Sequence, residues 1–344
     1  MATKIVYWSI GDAPLNEGPL TAVIGNFDGV HLGHQKLIST AKSFAKKDST
    51  ATSVITFNPH PRRFFRKNEP SFLLSDLAEK NRILSLYGVE KIIHVSFNDA
   101  LRELSPDEFV TKVLSPLGVS HLLAGKDFAF GRARAGDMTL LSKLGNQNNI
   151  KITSISLEVD DKSAIVSSSR VRAALQAGHI DEAIEMLGRP PTICGIIEHG
   201  DKRGRQLNFP TANFNLQDYQ VPAYGVYAIT AIVETQRQFS QDHSEILDGE
   251  ELPMLMGVAN IGIRPTIGDR KVMAEIHLFD FNEDIYGARL RVNLHHYLRG
   301  EKKFDSIDAL KVQIEKDATA ARALLVHENN DNNQIQTMRN SDVR

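Results

Sequence analysis

The chain has a single cysteine, Cys194, in 344 residues. That excludes an internal disulfide and any cysteine-built zinc cage. It also fits a reducing compartment, so the expectation is a cytoplasmic protein. Net charge is scarce too: 40 Lys and Arg against 42 Asp and Glu leave −2. No broad basic field is present to hold nucleic acid. No apolar run reaches the ~18 residues of a membrane span. The opening Met1-Ala2-Thr3-Lys4-Ile5-Val6-Tyr7-Trp8 lacks the apolar core and cleavage site of a signal peptide. Internal repeats and the Walker A spacing are missing as well. These absences predict no nucleic-acid partner and no membrane, and nothing sets an oligomeric state. What remains is a globular composition, 42% apolar and 24% charged, in a length that suits two domains.

The stretch that organises the chain is 22–38. An apolar run, Ala22 to Ile24, reads as a buried strand. A turn with Gly25, Asp28 and Gly29 follows, then His31 and His34, and then a helical pattern through Leu37, Ile38, Ala41 and Phe44. A helix start favours anions by about 0.3–1 kcal/mol. Gly25, Gly29 and Gly33 remove side chains where a phosphate must approach backbone. His31 and His34, three apart, share a helix face. Two imidazoles aimed at one phosphate stabilise the charge that grows as pyrophosphate leaves. The plain alternative is a surface pair in an ordinary strand–helix turn.

Up to about residue 190, strand-like stretches (5–8, 22–24, 51–57, 91–95, 121–124, 151–157) alternate with helical ones (33–46, 76–87, 106–117, 137–146). This predicts a parallel sheet with helices on both faces and ligands beyond the carboxyl ends of the strands. Three further motifs fall at such ends. Asn58-Pro59-His60-Pro61, followed by Arg62, Arg63 and Arg66, reads as a stiff basic loop, either solvated or closed over an aromatic, phosphorylated ligand. Asp127, in Gly125-Lys126-Asp127-Phe128-Ala129-Phe130-Gly131, either accepts from a ribose hydroxyl or caps a turn. Ser167-Ser168-Ser169 opens a helix that carries Arg172; the serines are ordinary N-caps or, with Arg172, phosphate ligands.

Arg189-Pro190-Pro191 is a stiff break. Beyond it, stretches of β character (192–198, 212–216, 225–234, 254–261, 272–279, 289–295) predict a small antiparallel barrel. A helix from Ser306 presents Ile307, Leu310, Ile314 and Ala318 to it. Gly200 and Gly204, with Arg205, form a glycine loop able to cradle phosphate. The Thr211 hydroxyl and Asn213 carbonyl are hard oxygen donors suited to Mg²⁺. Two barrel turns are the plain alternative. A polar insert at 235–252 has no assigned role, and the polar tail from His327 is expected to be disordered.

Gly25-Asn26-Phe27-Asp28-Gly29-Val30-His31-Leu32-Gly33-His34 resembles the H-x-G-H nucleotidyltransferases and, more closely, the adenylyltransferase half of the bacterial FAD synthetases. The loops at 57–61, 125–131 and 167–172 match that family's other signatures, with Ser169 where the family has Thr. The strings at 195–213 and 257–266, with Gly225-Val226-Tyr227-Ala228 and Ala274-Glu275-Ile276-His277-Leu278, resemble riboflavin kinase; Asn208 stands where the family has Gly.

The resemblance implies two domains: an α/β nucleotidyltransferase at 1–188 and a β-barrel kinase at 189–326 with a C-terminal helix, before a tail at 327–344. It implies phosphorylation of riboflavin to FMN, then adenylylation of FMN to FAD, with ATP as co-substrate and Mg²⁺ as cofactor. Glu275 would be the kinase base, and Thr211 and Asn213 the metal ligands. His31 and His34 would be catalytic in the first domain. Gly25, Phe27, Asp28, Gly29, Asp127, Ser168, Ser169 and Arg172 would meet its nucleotide, and Asn58, Pro59, His60 and Pro61 its flavin. The other readings are an H-x-G-H transferase for another substrate, whose barrel only binds, and a flavin- or RNA-binding regulator.

Overall fold

A computed structural model of the chain describes residues 2–66, 68–156, 164–198, 209–216, 218–234, 245–246, 252–265 and 270–341. Packing divides the chain into two compact units. One takes Met1–Pro70, Leu77–Ser167 and Gln241–Glu250; the other takes Ser71–Asp76, Ser168–Ser240 and Glu251–Arg344.

In the first unit β1 (Thr3–Trp8), β2 (Leu20–Ile24), β3 (Ala51–Asn58), β4 (Lys91–Ser96), β5 (Val119–Gly125) and β6 (Lys151–Ile155) form a parallel sheet in the order β1-β4-β3-β2-β5-β6. Its central strand is buried at every position, so alternate residues serve two cores. Ala22 and Ile24 join one with Ile55, Ile93 and Leu122; Val23 joins the other with Val54, Ile92 and Leu123.

The helices are α1 (Leu32–Asp48), α2 (Pro61–Phe65), α3 (Leu77–Leu86), α4 (Asp99–Arg102), α5 (Pro106–Phe109) and α6 (Met138–Gln147). Ser105 and Glu108 close a capping box at the start of α5. The single helix expected over 106–117 instead passes after one turn into a π-helical turn, Val110–Leu114. The stiff loop after β3 contains a short helix, α2. It begins with a proline at its first position and is capped by His60 Nδ1, which accepts from the Arg62 N–H.

The second unit begins with α7 (Ser168–Ala177) and α8 (Ile180–Leu187). Its strands are β7 (Thr192–Ile196), β8 (Ala212–Asn215), β9 (Gly225–Glu234), β11 (Leu255–Pro265), β12 (Arg270–Leu278) and β13 (Arg289–Gly300). The intervening β10 (Glu245–Ile246) pairs antiparallel with β1 in the first unit's sheet. The six barrel strands run antiparallel in the order β7-β13-β9-β11-β12-β8. The two outer strands are joined where Glu198 bridges Asn213, so the sheet nearly closes on itself.

The last helix, α9 (Ile307–Ser341), packs Ala321 and Leu325 on Val226, Val258 and Phe279. Of its expected stripe Ala318 joins this contact, whereas Ile307 is exposed. The helix also runs on past His327, where a disordered tail was expected. Neither Gly nor Pro follows Gly300, so no breaker interrupts it.

By packing, α7, α8 and residues 71–76 group with the barrel, although they lie before the proline break. Leu73 N–H donates to the Asp218 carbonyl and the Leu73 carbonyl accepts from Gln220 N–H. The buried Arg289 guanidinium pairs with Glu234 and reaches both oxygens of Asp76, at 2.8 and 3.1 Å. Arg291 also reaches Glu234, at 3.2 Å. Arg289→Met leaves a buried carboxylate with one partner fewer and is expected to destabilise this unit by about 3 kcal/mol. A urea titration followed by circular dichroism checks it; an unchanged midpoint would show that the network contributes nothing.

Candidate active sites

In a parallel sheet a crevice opens where the strand order reverses. β2 is that strand here, with β3 on one side and β5 on the other. The chain leaving β2 turns at once. Phe27 and Val30 adopt φ of 51° and 42°, and Gly29 adopts 78°. For side chains other than Gly this region costs about 1–2 kcal/mol each. Phe27 and Val30 are fully buried, and burial of such side chains contributes about 1.5–3 kcal/mol each. Packing therefore offsets the strain.

The turn delivers His31 to the N-cap of α1 and His34 to its first turn. The two imidazole rings stack with centroids 3.8 Å apart and planes at 20°, and Phe27 lies tilted against His34 at 4.9 Å. Gly33 permits this, since a Cβ there would stand 3.2 Å from the His31 ring.

A cavity of about 980 Å³ opens over the pair. Gly25, Asn26, His31, Gly33 and His34 line one part of it, and Asp127 lines it from beyond β5. His60, Pro61 and Arg62 line it from the loop and helix after β3. The rest is strongly aromatic: Phe57, Phe65, Phe97, Phe109, Phe128 and Phe130. Phe65 meets Phe97 edge-on at 5.7 Å, and Phe128 stacks on Phe130 at 5.8 Å. Arg62 and Arg66 bring positive charge, both held by Glu69, at 2.9 and 2.5 Å.

The structure thus brings together Gly25, His31, His34, His60, Pro61 and Asp127. Phe27 and Asp28 are buried, and neither they nor Gly29 are among the lining residues; they shape the turn rather than the wall. Asn58 and Pro59 are also outside the lining. Ser167 lines the cavity, and Ser168 and Ser169, next in the chain, start α7. Arg172 donates from Nε to the Phe72 carbonyl at 2.7 Å and lies over the Phe72 ring, both within the second unit.

In the barrel, antiparallel register sets Glu275 of β12 opposite Asn213 of β8 and Asn260 of β11. Directly opposed residues share a face of the sheet, so the three form one polar row. Asn213 is buried and donates from Nδ2 to the Thr211 carbonyl at 3.3 Å. Beside this row, His277 Nδ1 meets the Pro210 carbonyl at 2.9 Å, with Phe209 edge-on to its ring.

A second cavity, of about 570 Å³, is lined by Pro210, Thr211 and Ala212, by Ile276 and Leu278, and by residues 281–286. Glu275 is on the opposite face of β12 from Ile276 and Leu278. Gly200, Gly204 and Arg205, together with Asn208, lie outside the described residues.

Sequence reasoning passed over the aromatic lining and the His277 brace. It also missed the buried polar side chains of α3. Lys80 lies three residues after Leu77 and three before Ile83, on a stripe that the helical period reserves for apolar residues.

The family model for FAD synthetase matches residues 14–170, and that for riboflavin kinase matches residues 187–325. The bifunctional riboflavin kinase/FMN adenylyltransferase of Bacillus subtilis is 39% identical over 87% of this chain and 90% of its own length. The protein of that name from Pseudomonas fluorescens is 42% identical over 88% and 92%. A crystal structure titled as a macrolide-efflux protein from Streptococcus pneumoniae matches with a TM-score of 0.76 at 29% identity, covering 92% of this chain and 99% of that one. Among the described residues of this chain no helix is long and apolar enough to cross a membrane. With both family models matched in order, and with relatives of this identity over nearly their whole length, the chain belongs to the bifunctional riboflavin kinase/FMN adenylyltransferase family.

Proposed function

We propose that the chain makes FAD in two steps, residues 189–326 phosphorylating riboflavin with ATP and residues 1–188 adenylylating the FMN formed. The observation that carries the second assignment is the stacked His31–His34 pair on the wall of a cavity at the reversal of the strand order. The aromatic lining offers flat apolar surface to an isoalloxazine ring. An FMN phosphate oxygen attacks the α-phosphorus of ATP, the bond to the bridging oxygen breaks, and pyrophosphate leaves. No protein nucleophile is needed. His31 and His34 donate to the oxygens on which charge accumulates. Asp127 accepts from a ribose hydroxyl.

In the barrel, Glu275 takes the proton of the riboflavin 5′-hydroxyl as that oxygen attacks the γ-phosphorus and ADP leaves. Thr211 and Asn213 fit a hard cation. The Asn213 amide nitrogen is engaged by the Thr211 carbonyl, which leaves its carbonyl oxygen as the donor beside the Thr211 hydroxyl. Mg²⁺ held there would neutralise charge on the transferring phosphate. His277, by bonding the Pro210 carbonyl, fixes the segment that carries Thr211. Gly200, Gly204 and Arg205 complete the assignment as the nucleotide loop. A cytoplasmic location is part of this reading, supported by a single cysteine, which suits a reducing compartment.

Chromatography of products from riboflavin, ATP and Mg²⁺ tests the whole reading; absence of both FMN and FAD would reject it. His31→Ala is expected to slow FMN-to-FAD conversion about 10²–10³-fold while FMN still forms. Unchanged FAD formation would remove His31 from the mechanism. Glu275→Gln, which keeps the shape and removes the base, is expected to slow FMN formation about 10²–10⁴-fold. FAD synthesis from supplied FMN should persist; if both rates fall together, Glu275 serves the fold instead.

A further inference from the structure

The buried face of α3 carries Glu79, Lys80 and Asn81. Glu79 is taken up by Arg82 one turn on, through two bonds of 2.7 Å. The other two side chains reach the sheet. Thr56 of β3 and His94 of β4 are register neighbours, two residues beyond the apolar Val54 and Ile92 on the same face. Asn81 Oδ1 bonds His94 Nε2 at 2.8 Å, and Lys80 Nζ donates to Thr56 Oγ1 at 3.3 Å. The Thr56 hydroxyl in turn donates to the Asn26 carbonyl at 3.1 Å. Asn26 is part of the turn that leaves β2. Asp28, two residues on and buried, presents the carboxylate whose charge acts on Lys80. Lys80 is absent from the cavity lining, so it has no direct contact with a substrate there.

We propose that Lys80 is a positioning residue for adenylyl transfer: from beneath the sheet end, its ammonium fixes the Asn26–Asp28 limb of the turn through Thr56 and Asp28, and so aims His31 and His34. This rests on the reading of the first cavity as the adenylyltransferase site. An ammonium is suited to this task. It donates to Thr56 and sets a charge opposite Asp28, next to a turn whose backbone is strained at Phe27 and Val30, and it does not line the cavity above.

The charge state supports the role. Burial pulls the Lys80 ammonium down to about 8, against the opposing effect of Asp28. His94, facing it from β4, is pushed to about 3 by burial and then by Lys80, so it is neutral. Tyr7 of β1 stacks on that ring at 5.2 Å, and on α3 itself Glu79 and Arg82 neutralise each other. Lys80 is therefore charged below about pH 8 and loses its proton above it, and its hold on Asp28 weakens in that direction.

The test uses the full chain, with a circular dichroism melt as the control of folding and riboflavin phosphorylation as the control of the second unit. In Lys80→Met, kcat for FAD formation from FMN and ATP should fall about 10–100-fold, as expected for a small misplacement of catalytic groups. Both KM values should stay within about threefold, because no substrate contact is lost. The wild-type decline of kcat above about pH 8 should vanish in the variant. Should Lys80→Met fail to fold by circular dichroism, Thr56→Val takes its place, with an expected loss of about 3–10-fold in kcat. A folded variant with wild-type kcat for FAD overturns the role of Lys80. A wild-type chain that makes FMN but no FAD overturns instead the reading of the cavity on which it rests.

Discussion

A strand buried on both faces must hand its chain to the next helix without exposing either core. At the end of β2 this constraint leaves room only for a very tight turn, and the first unit is built around meeting it. Phe27 and Val30 are driven into the left-handed region, which their burial stabilises. The same turn starts α1 at His31, whose ring lies on that of His34 and, through it, next to Phe27. Packing and the proposed chemistry therefore use the same few residues. A change that loosens Phe27 disturbs the imidazoles, although Phe27 does not line the cavity.

The barrel solves its problem differently. Antiparallel pairing sends alternate side chains to opposite faces, so the register that pairs the buried Phe214 and Ala274 also sets Asn213 beside Glu275. No strained turn is needed to assemble that row; a regular ladder does it. The fixed element is the approach to β8, where Pro210 is held by His277 and Thr211 by Asn213. The first site thus depends on one unusual loop, and the second on ordinary strand geometry with two added hydrogen bonds.

Much of this was legible in the sequence because periodicity reports burial. The parallel strands and the barrel strands fall where their apolar patterns predict. The H-x-G-H turn was readable because glycines mark backbone that must bend. What was not readable depended on distant partners. Polar side chains of α3 look like solvent-facing residues until β3 and β4 are laid beneath them. The short α2 was hidden because two prolines read as a stiff loop. The path of residues 71–76 was invisible, since nothing local tells Asp76 that its partner is Arg289.

That partnership has a consequence in time. Asp76 and Arg289 are 213 residues apart in the chain. At a synthesis rate of about 5–20 residues per second, Asp76 leaves the ribosome some 10–40 s before Arg289 exists. Residues 71–76 are synthesised between stretches of the first unit, yet their packing partners, at Arg172, Asp218, Gln220 and Arg289, all emerge later. The first unit can collapse around its own sheet while this short segment waits. The native arrangement is therefore one that a nascent chain cannot finish in order of synthesis, and the C-terminal barrel must return to a strand of chain made long before it.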